Sequence, residues 1–128
     1  MKVIKRIDTV FIPVMDLEKS EEWYTNIFPF KVVYRDSDGY VGFRINEPGE
    51  LKTGLTLYKV DEMPQSKHIA FNFFTEDIDG FHASLKEQGV DVNDIHSGGG
   101  MRFFEFTDPS GNLLGAVTFK EITVDQMK

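Results

Sequence analysis

The chain has 128 residues, 14 Lys and Arg against 21 Asp and Glu, a formal net charge of −7 and no cysteine. That length supports one domain, or two half-units sharing one core, without a disulfide or metal to hold it together. The missing cysteine excludes a disulfide framework, thiolate-bound zinc and thiol catalysis, and it fits a reducing cytoplasm; the acidic balance disfavours nucleic acid and anionic membranes.

The opening MKVIKRIDTVFIPVMD breaks its apolar run at Asp8, so neither a signal peptide nor a membrane span is expected. Periodicity predicts a strand over 6–15. Asp16 then caps a helix over 17–28 that turns Leu17, Tyr24, Ile27 and Phe28 to one face. Strands follow over 31–35, 40–45 and 54–60, with a turn at Ser37-Asp38-Gly39 and a longer connection from Glu47-Pro48-Gly49. Met63-Pro64-Gln65-Ser66 forms a join, and the order restarts: a strand over 67–75, then a helix over 78–88 capped by Asp77 and stopped by Gly89. Ile78, Phe81 and Leu85 point inward on that helix. A short strand near 92–95 and strands over 101–107 and 113–122 complete the chain.

The pattern is βαβββ twice, over 1–62 and 67–122 of a single domain, with the two N-caps 61 residues apart. A lone βαβββ unit has a sheet covered by its helix on one face and bare on the other. Two units can pair their bare faces around a cleft, the natural place for a ligand. The expected fold is therefore α+β, two βαβββ modules forming a cleft-bearing mixed sheet.

The stretches IDTVFIPVMDLEKSEEWY, HIAFNFFTEDIDGFHASLKEQGV and FEFTDPSGNLLG, in that order, give the chain a resemblance to the vicinal oxygen chelate superfamily. Glyoxalase I, extradiol dioxygenases, fosfomycin-resistance enzymes and bleomycin-resistance proteins belong to it. Pro29 departs from the glycine this family often has before Phe, which leaves the fold expectation intact. The resemblance implies divalent-metal ligands of His, Glu or Gln type on the first and last strand of each module. Carried over by position, these fall on Thr9, near Thr56, on Gly115, and on either His68 (by the HIAF pattern) or Ala70 (by the 61-residue repeat). A catalytic metal needs about three firm protein ligands. Threonine hydroxyls bind weakly and glycine offers nothing, so the residue types argue against the metal chemistry of the family and no cofactor is expected.

Strand alternation sorts the remaining candidates. Val10, Ile12, Leu55, Leu57, Ile69, Phe71 and Phe73 are expected under the helices. Thr9, Phe11, Thr56, Tyr58, His68, Ala70, Asn72 and Phe74, with Gly115 and Val117, are expected on the bare faces. That mixture of rings and a few polar groups suits a planar or amphipathic ligand. Filling between sheets or a dimer interface would use the same residues. His82 reads as a half-exposed helix residue and His96 as part of the Ser97-Gly98-Gly99-Gly100 loop; only His68 is expected to see the cleft, where a structural role weighs equally. The glycine triplet lacks the Lys-Ser/Thr that follows in a P-loop. Arg44 and Arg102 are candidate anion partners of undecided strand face.

The expected function is metal-free binding of a small organic molecule of cationic or aromatic character, by a homodimer similar to the bleomycin-resistance branch. Thr9, Phe11, Thr56, Tyr58, His68, Asn72 and Gly115 are the ligand-contacting candidates. The competing expectation is a metal-dependent lyase, isomerase or dioxygenase in which His68 and further residues hold an ion. A third is a domain that only mediates association.

Overall fold

The computed structural model describes residues 6–45, 53–65 and 68–120. The expected connection at Glu47-Pro48-Gly49, the strand start at Lys67 and the strand end at Ile122 lie outside the described residues. The chain divides into two compact units, Met1–Ser66 with Asp108–Asn112, and Lys67–Thr107 with Leu113–Lys128.

The first unit carries β1 (Thr9–Val14), α1 (Leu17–Ile27), β2 (Lys31–Arg35), β3 (Tyr40–Arg44) and β4 (Gly54–Lys59). The strands lie in the order β1-β4-β3-β2, with β1 and β4 parallel and the other pairs antiparallel. The Asp16 carboxylate accepts the Lys19 amide at 3.0 Å and starts α1, because the first amides of a helix have no partner inside it. Ile12, Val14, Val41, Phe43, Leu55 and Leu57 are buried on the helix side, and Tyr24 of α1 is buried with them. Val10, expected beside them, is half-buried.

The second unit repeats the plan: β5 (Asn72–Phe74), α2 (Ile78–Glu87), β6 (His96–Gly98), β7 (Met101–Thr107) and β8 (Leu113–Phe119), in the order β5-β8-β7-β6. Asp77 caps α2 through the Gly80 amide at 2.9 Å. Ile78 and Leu85 of α2, Phe104, Phe106, Leu114 and Ala116 are buried. The α+β class and the two βαβββ modules thus appear as two four-stranded mixed sheets, each with its helix.

Three local expectations are corrected. The first strand begins at Thr9 rather than residue 6, and Arg6 instead pairs with Asp8 at 3.2 Å. Regular pairing of β5 begins at Asn72, so Ile69 and Phe71 are half-buried rather than core. Ile69 lies 3.4 Å from where a Gly115 side chain would start, on the face away from α2. The strand near 92–95 shrinks to a single bridge from Val92 to Phe106, and the paired segment is His96–Gly98. The Asn93 carboxamide accounts for this, since its oxygen takes the Glu105 amide at 2.7 Å in place of a ladder carbonyl. His96 is consequently a strand residue opposite Phe103, and the glycines behind it turn at positive φ (Gly99 +62°, Gly100 +77°).

The Asp108-Pro109-Ser110-Gly111-Asn112 turn between β7 and β8 belongs to the first unit by its contacts. Asp108 is 5% exposed. One carboxylate oxygen accepts the amides of Ser110 (3.0 Å) and Asn112 (2.8 Å). The other accepts the Tyr24 hydroxyl (2.9 Å) and the Asn112 carboxamide (2.9 Å). Asn112 also donates to the Pro13 carbonyl at 2.8 Å, and the Met15 amide donates to the Ser110 hydroxyl at 3.2 Å. A buried carboxylate is tolerated only with such donors around it. Asp108, Ser110 and Asn112 therefore each have a structural task here, and Gly111 at φ +88° closes the turn.

Ser20 of α1 is 1% exposed, and its hydroxyl has no partner among the described residues. An unpaired buried hydroxyl costs free energy, and alanine is the better helix former. Ser20→Ala is expected to raise stability by about 1 kcal/mol, read from the midpoint of urea unfolding at unchanged slope.

Candidate functional site

The site follows from what the first sheet does not spend on its core. With Ile12, Leu55, Leu57, Val41 and Phe43 turned toward α1, alternation leaves Thr9, Phe11, Thr56, Tyr58, Tyr40, Gly42 and Arg44 on the bare face. That face holds a hollow of about 610 Å³, within the range of small-molecule sites.

Its middle row is set by register: Phe11 pairs with Thr56, Thr56 with Gly42, and Gly42 with Tyr34. Strands about 4.8 Å apart place the backbones of the outer two roughly 14 Å from each other. Between those rings stand one small side chain and none at all. A methyl on Gly42 would sit 3.3 Å from the Tyr34 Cβ and 3.7 Å from the Thr56 hydroxyl, so glycine keeps the floor low. Phe11 and Tyr34 are 58% and 53% exposed, an unusual fate for large rings on a sheet. Tyr58 lies on the same face, stacked on Tyr40 (centroids 6.4 Å) and edge-on to Phe11 (6.3 Å).

The polar groups are few. Thr9 and Thr56 share a hydroxyl–hydroxyl hydrogen bond of 2.9 Å. The Tyr34 hydroxyl donates to Asp36, whose other oxygen accepts the amides of Asp38 (2.9 Å) and Tyr40 (3.2 Å). This hydrogen bond holds the Asp36 carboxyl below its ordinary pKa and the Tyr34 phenol above its own. It also fixes the Tyr34 ring at the rim. Arg6 and Arg44 among the lining residues are balanced by Asp8 and Asp36. Among the described lining residues the chain's net negative charge is therefore not concentrated in this hollow.

Four of the seven sequence candidates, Thr9, Phe11, Thr56 and Tyr58, come together on this face. Asn72 and Gly115 are paired with each other on the second sheet, where the Asn72 carboxamide occupies the space that a Gly115 side chain would need. His68 precedes β5 and is exposed, on no strand. By register the counterpart of Thr9 is neither His68 nor Ala70. Gly54 and Gly115 are 61 residues apart; Thr9 pairs with the first and Asn72 with the second, so Asn72 is the counterpart of Thr9. The cause is length: from Phe11 to Asp16 takes five residues, from its counterpart Phe74 to Asp77 only three. Arg102 turns to the helix side and grips Asp79 with two bonds of 2.8 and 2.9 Å. Tyr34, Tyr40 and Gly42 were missed by sequence reasoning. Alternation with Val41 and Phe43 would have found the last two, while the irregular register between Val32 and Tyr34 hid the first.

The residues do not fit the divalent ion of the family's enzymes. The Thr9 and Thr56 hydroxyls bond to each other, and the Gly115 position is filled by an amide and a methyl. Among the described residues no group of three His, Cys, Asp or Glu converges.

Residues 6–115 match the Glyoxalase/Bleomycin resistance protein/Dioxygenase superfamily, and the chain belongs to it. Among solved structures it is similar to TnmS3, an antibiotic binding protein from Streptomyces sp. CB03234, at 25% identity and TM-score 0.72, over 94% of this chain and 100% of that one. A glyoxalase/bleomycin resistance protein from the same organism matches at 27% identity and TM-score 0.67, over 85% and 97% of the respective chains. The fosfomycin resistance protein FosX from Listeria monocytogenes shares the fold at 19% identity and TM-score 0.75, over 98% and 100%. No curated protein matches the sequence.

Proposed function

We propose that this protein binds a small planar aromatic molecule, without a metal, in the hollow on its first sheet. The observation that carries this reading is the exposed pair Phe11 and Tyr34 on either side of a floor made of Thr56 and Gly42. Rings held apart over a flat floor stack on a planar ligand, and the Thr9–Thr56 hydroxyl pair can donate or accept one hydrogen bond within the hollow. The antibiotic binding protein among its structural relatives supports ligand sequestration over turnover. Large apolar side chains on the bare faces support a homodimer, and a cysteine-free acidic chain suits the cytoplasm. Among the described residues no helix is long and apolar enough to cross a membrane.

The test is a titration with anilinonaphthalene sulfonate, followed by fluorescence, with near-ultraviolet circular dichroism verifying that the fold is intact. The expected result is saturable binding to native protein, unaffected by chelator and weakened by Tyr34→Ala. Binding that requires a stoichiometric divalent metal would sink the reading in favour of the metal-dependent enzyme. Analytical ultracentrifugation reads the dimer.

A further inference from the structure

Val32 pairs with Phe43 and Tyr34 with Gly42, so Val33 is one residue more than the ladder between β2 and β3 has places for. A bulge of this kind breaks alternation: Val33 and Tyr34, neighbours in the chain, both line the hollow. Alternation resumes after them. Arg35 turns to the helix side and grips Glu21 of α1 with two bonds of 2.8 Å. Tyr34 and Arg35 therefore leave the strand on opposite faces. Among the described strands β2 is an edge, laddered to β3 only.

The Tyr34 hydroxyl is tied to Asp36, and Asp36 to the amides of Asp38 and Tyr40. These partners all lie within the β2–β3 hairpin, so they fix the ring relative to its own hairpin. The backbone bond at that end, from the Asp36 amide to the Tyr40 carbonyl, is a long one of 3.3 Å. Arg35 reaches out of the hairpin to α1, which is seated in the core by the fully buried Tyr24. The Glu21 side chain is 25% exposed against 61% for Arg35, so the anchor is the better-held partner. The hydrogen bond from Arg35 holds the Glu21 carboxyl below its ordinary pKa although burial pushes the other way, which keeps the acceptor ionised. Asp36 lines the hollow and also a groove of about 440 Å³ that Glu21 and Arg35 line.

We propose that Glu21 is a positioning residue for ligand binding on the other side of the sheet: by gripping Arg35 it sets the rotation of the bulged end of β2, and with it the direction of the Tyr34 ring at the rim of the hollow. This rests on the role given to Tyr34 in the proposed binding site. Side chains of successive residues stand on opposite faces of one backbone, so turning the strand about its axis moves both. A guanidinium held by two parallel bonds to a carboxylate fixes direction as well as distance. A ring already standing where a ligand stacks has less freedom to lose on binding. Glu21 lines the groove and not the hollow, so its effect reaches the ligand through this strand. An ion pair at the surface adds little to folding stability, so the consequence of breaking it is read in binding.

The test is a double-mutant cycle on the full chain, with anilinonaphthalene sulfonate as the probe and fluorescence as the readout. Glu21→Ala is expected to weaken binding about threefold with little change in melting temperature. Glu21→Gln, which can still accept one of the two bonds, is expected to recover part of that loss. In the Tyr34→Ala background Glu21→Ala is expected to change nothing, because the ring it positions is gone. Should Glu21→Ala not fold, Arg35→Ala breaks the same pair from its more exposed end. If Tyr34→Ala weakens binding and Glu21→Ala does not, the positioning role is overturned and the binding site stands. An equal loss from Glu21→Ala with and without the Tyr34 ring overturns it too, since a general loosening of the sheet would do that. If Tyr34→Ala leaves binding unchanged, the binding site and the positioning role fall together.

Discussion

Asp108→Ala is expected to remove about 3 kcal/mol or more of folding stability, read as a lower urea midpoint. The substitution takes the acceptor from four donors at once: the Tyr24 hydroxyl, the Asn112 carboxamide and the amides of Ser110 and Asn112. Tyr24 is fully buried, so its hydroxyl is left without a partner in a place water does not reach. Asp108→Asn keeps an acceptor and is expected to cost less, and Tyr24→Phe about 1–2 kcal/mol. A loss under about 1 kcal/mol for Asp108→Ala would mean that the turn relaxes and the buried carboxylate is not central to the fold. The same contact sets an alkaline limit. Burial raises the Tyr24 phenol well above its usual 10.0, and the charge and hydrogen bond of Asp108 raise it further. A raised phenol pKa means the fold prefers the protonated form. That contribution is whole below pH 10.0 and is lost progressively as pH climbs from there toward the folded-state value. Tyr24→Phe is therefore expected to flatten the stability curve on the alkaline side while lowering it at neutral pH.

The second large effect concerns the ligand. Phe11→Ala and Tyr34→Ala together are expected to weaken anilinonaphthalene sulfonate binding about 100-fold, each ring contributing roughly 1.4 kcal/mol through stacking and area removed from water. Both side chains are exposed, so neither change should cost much stability; melting curves read that independently. Asp36→Asn separates the ring from its orientation, because it keeps the Tyr34 side chain and weakens the charge-assisted bond that fixes it. A loss of about fivefold in affinity is expected there, since the ring must be re-ordered on each binding event. If the double variant binds as tightly as wild type, the ligand does not lie between these rings.

Much of the fold was written locally. Asp16 and Asp77 precede apolar stretches of helical period and do cap helices, and the alternation in 54–59 places Leu55 and Leu57 inward and Thr56 and Tyr58 outward. These readings hold because helix caps and strand parity depend on near neighbours in the chain. Where long-range partners decide, the reading slipped. The sixth strand moved from 92–95 to His96–Gly98 because an asparagine side chain, twelve residues from its partner, replaced a ladder bond. Ile69 changed face because regular pairing starts only at Asn72. Of the site, the β1 and β4 contributions were legible. The Tyr34 ring was not, because the register irregularity in β2 is a property of its pairing with β3 and leaves no mark on the five residues themselves. Asp108 is a different case. Nothing nearby in sequence says that its carboxylate meets a phenol 84 positions away.

The shorter link between Phe74 and Asp77 matters to anyone engineering this scaffold. A designer who aligned the two halves by their helices, or trusted the HIAF string, would install an ion-gripping imidazole at 70 or rely on the one at 68, both ahead of the regular ladder. The place to graft it is Asn72, directly across from Gly115, and the carboxamide now there would have to be removed before any longer side chain could replace the glycine.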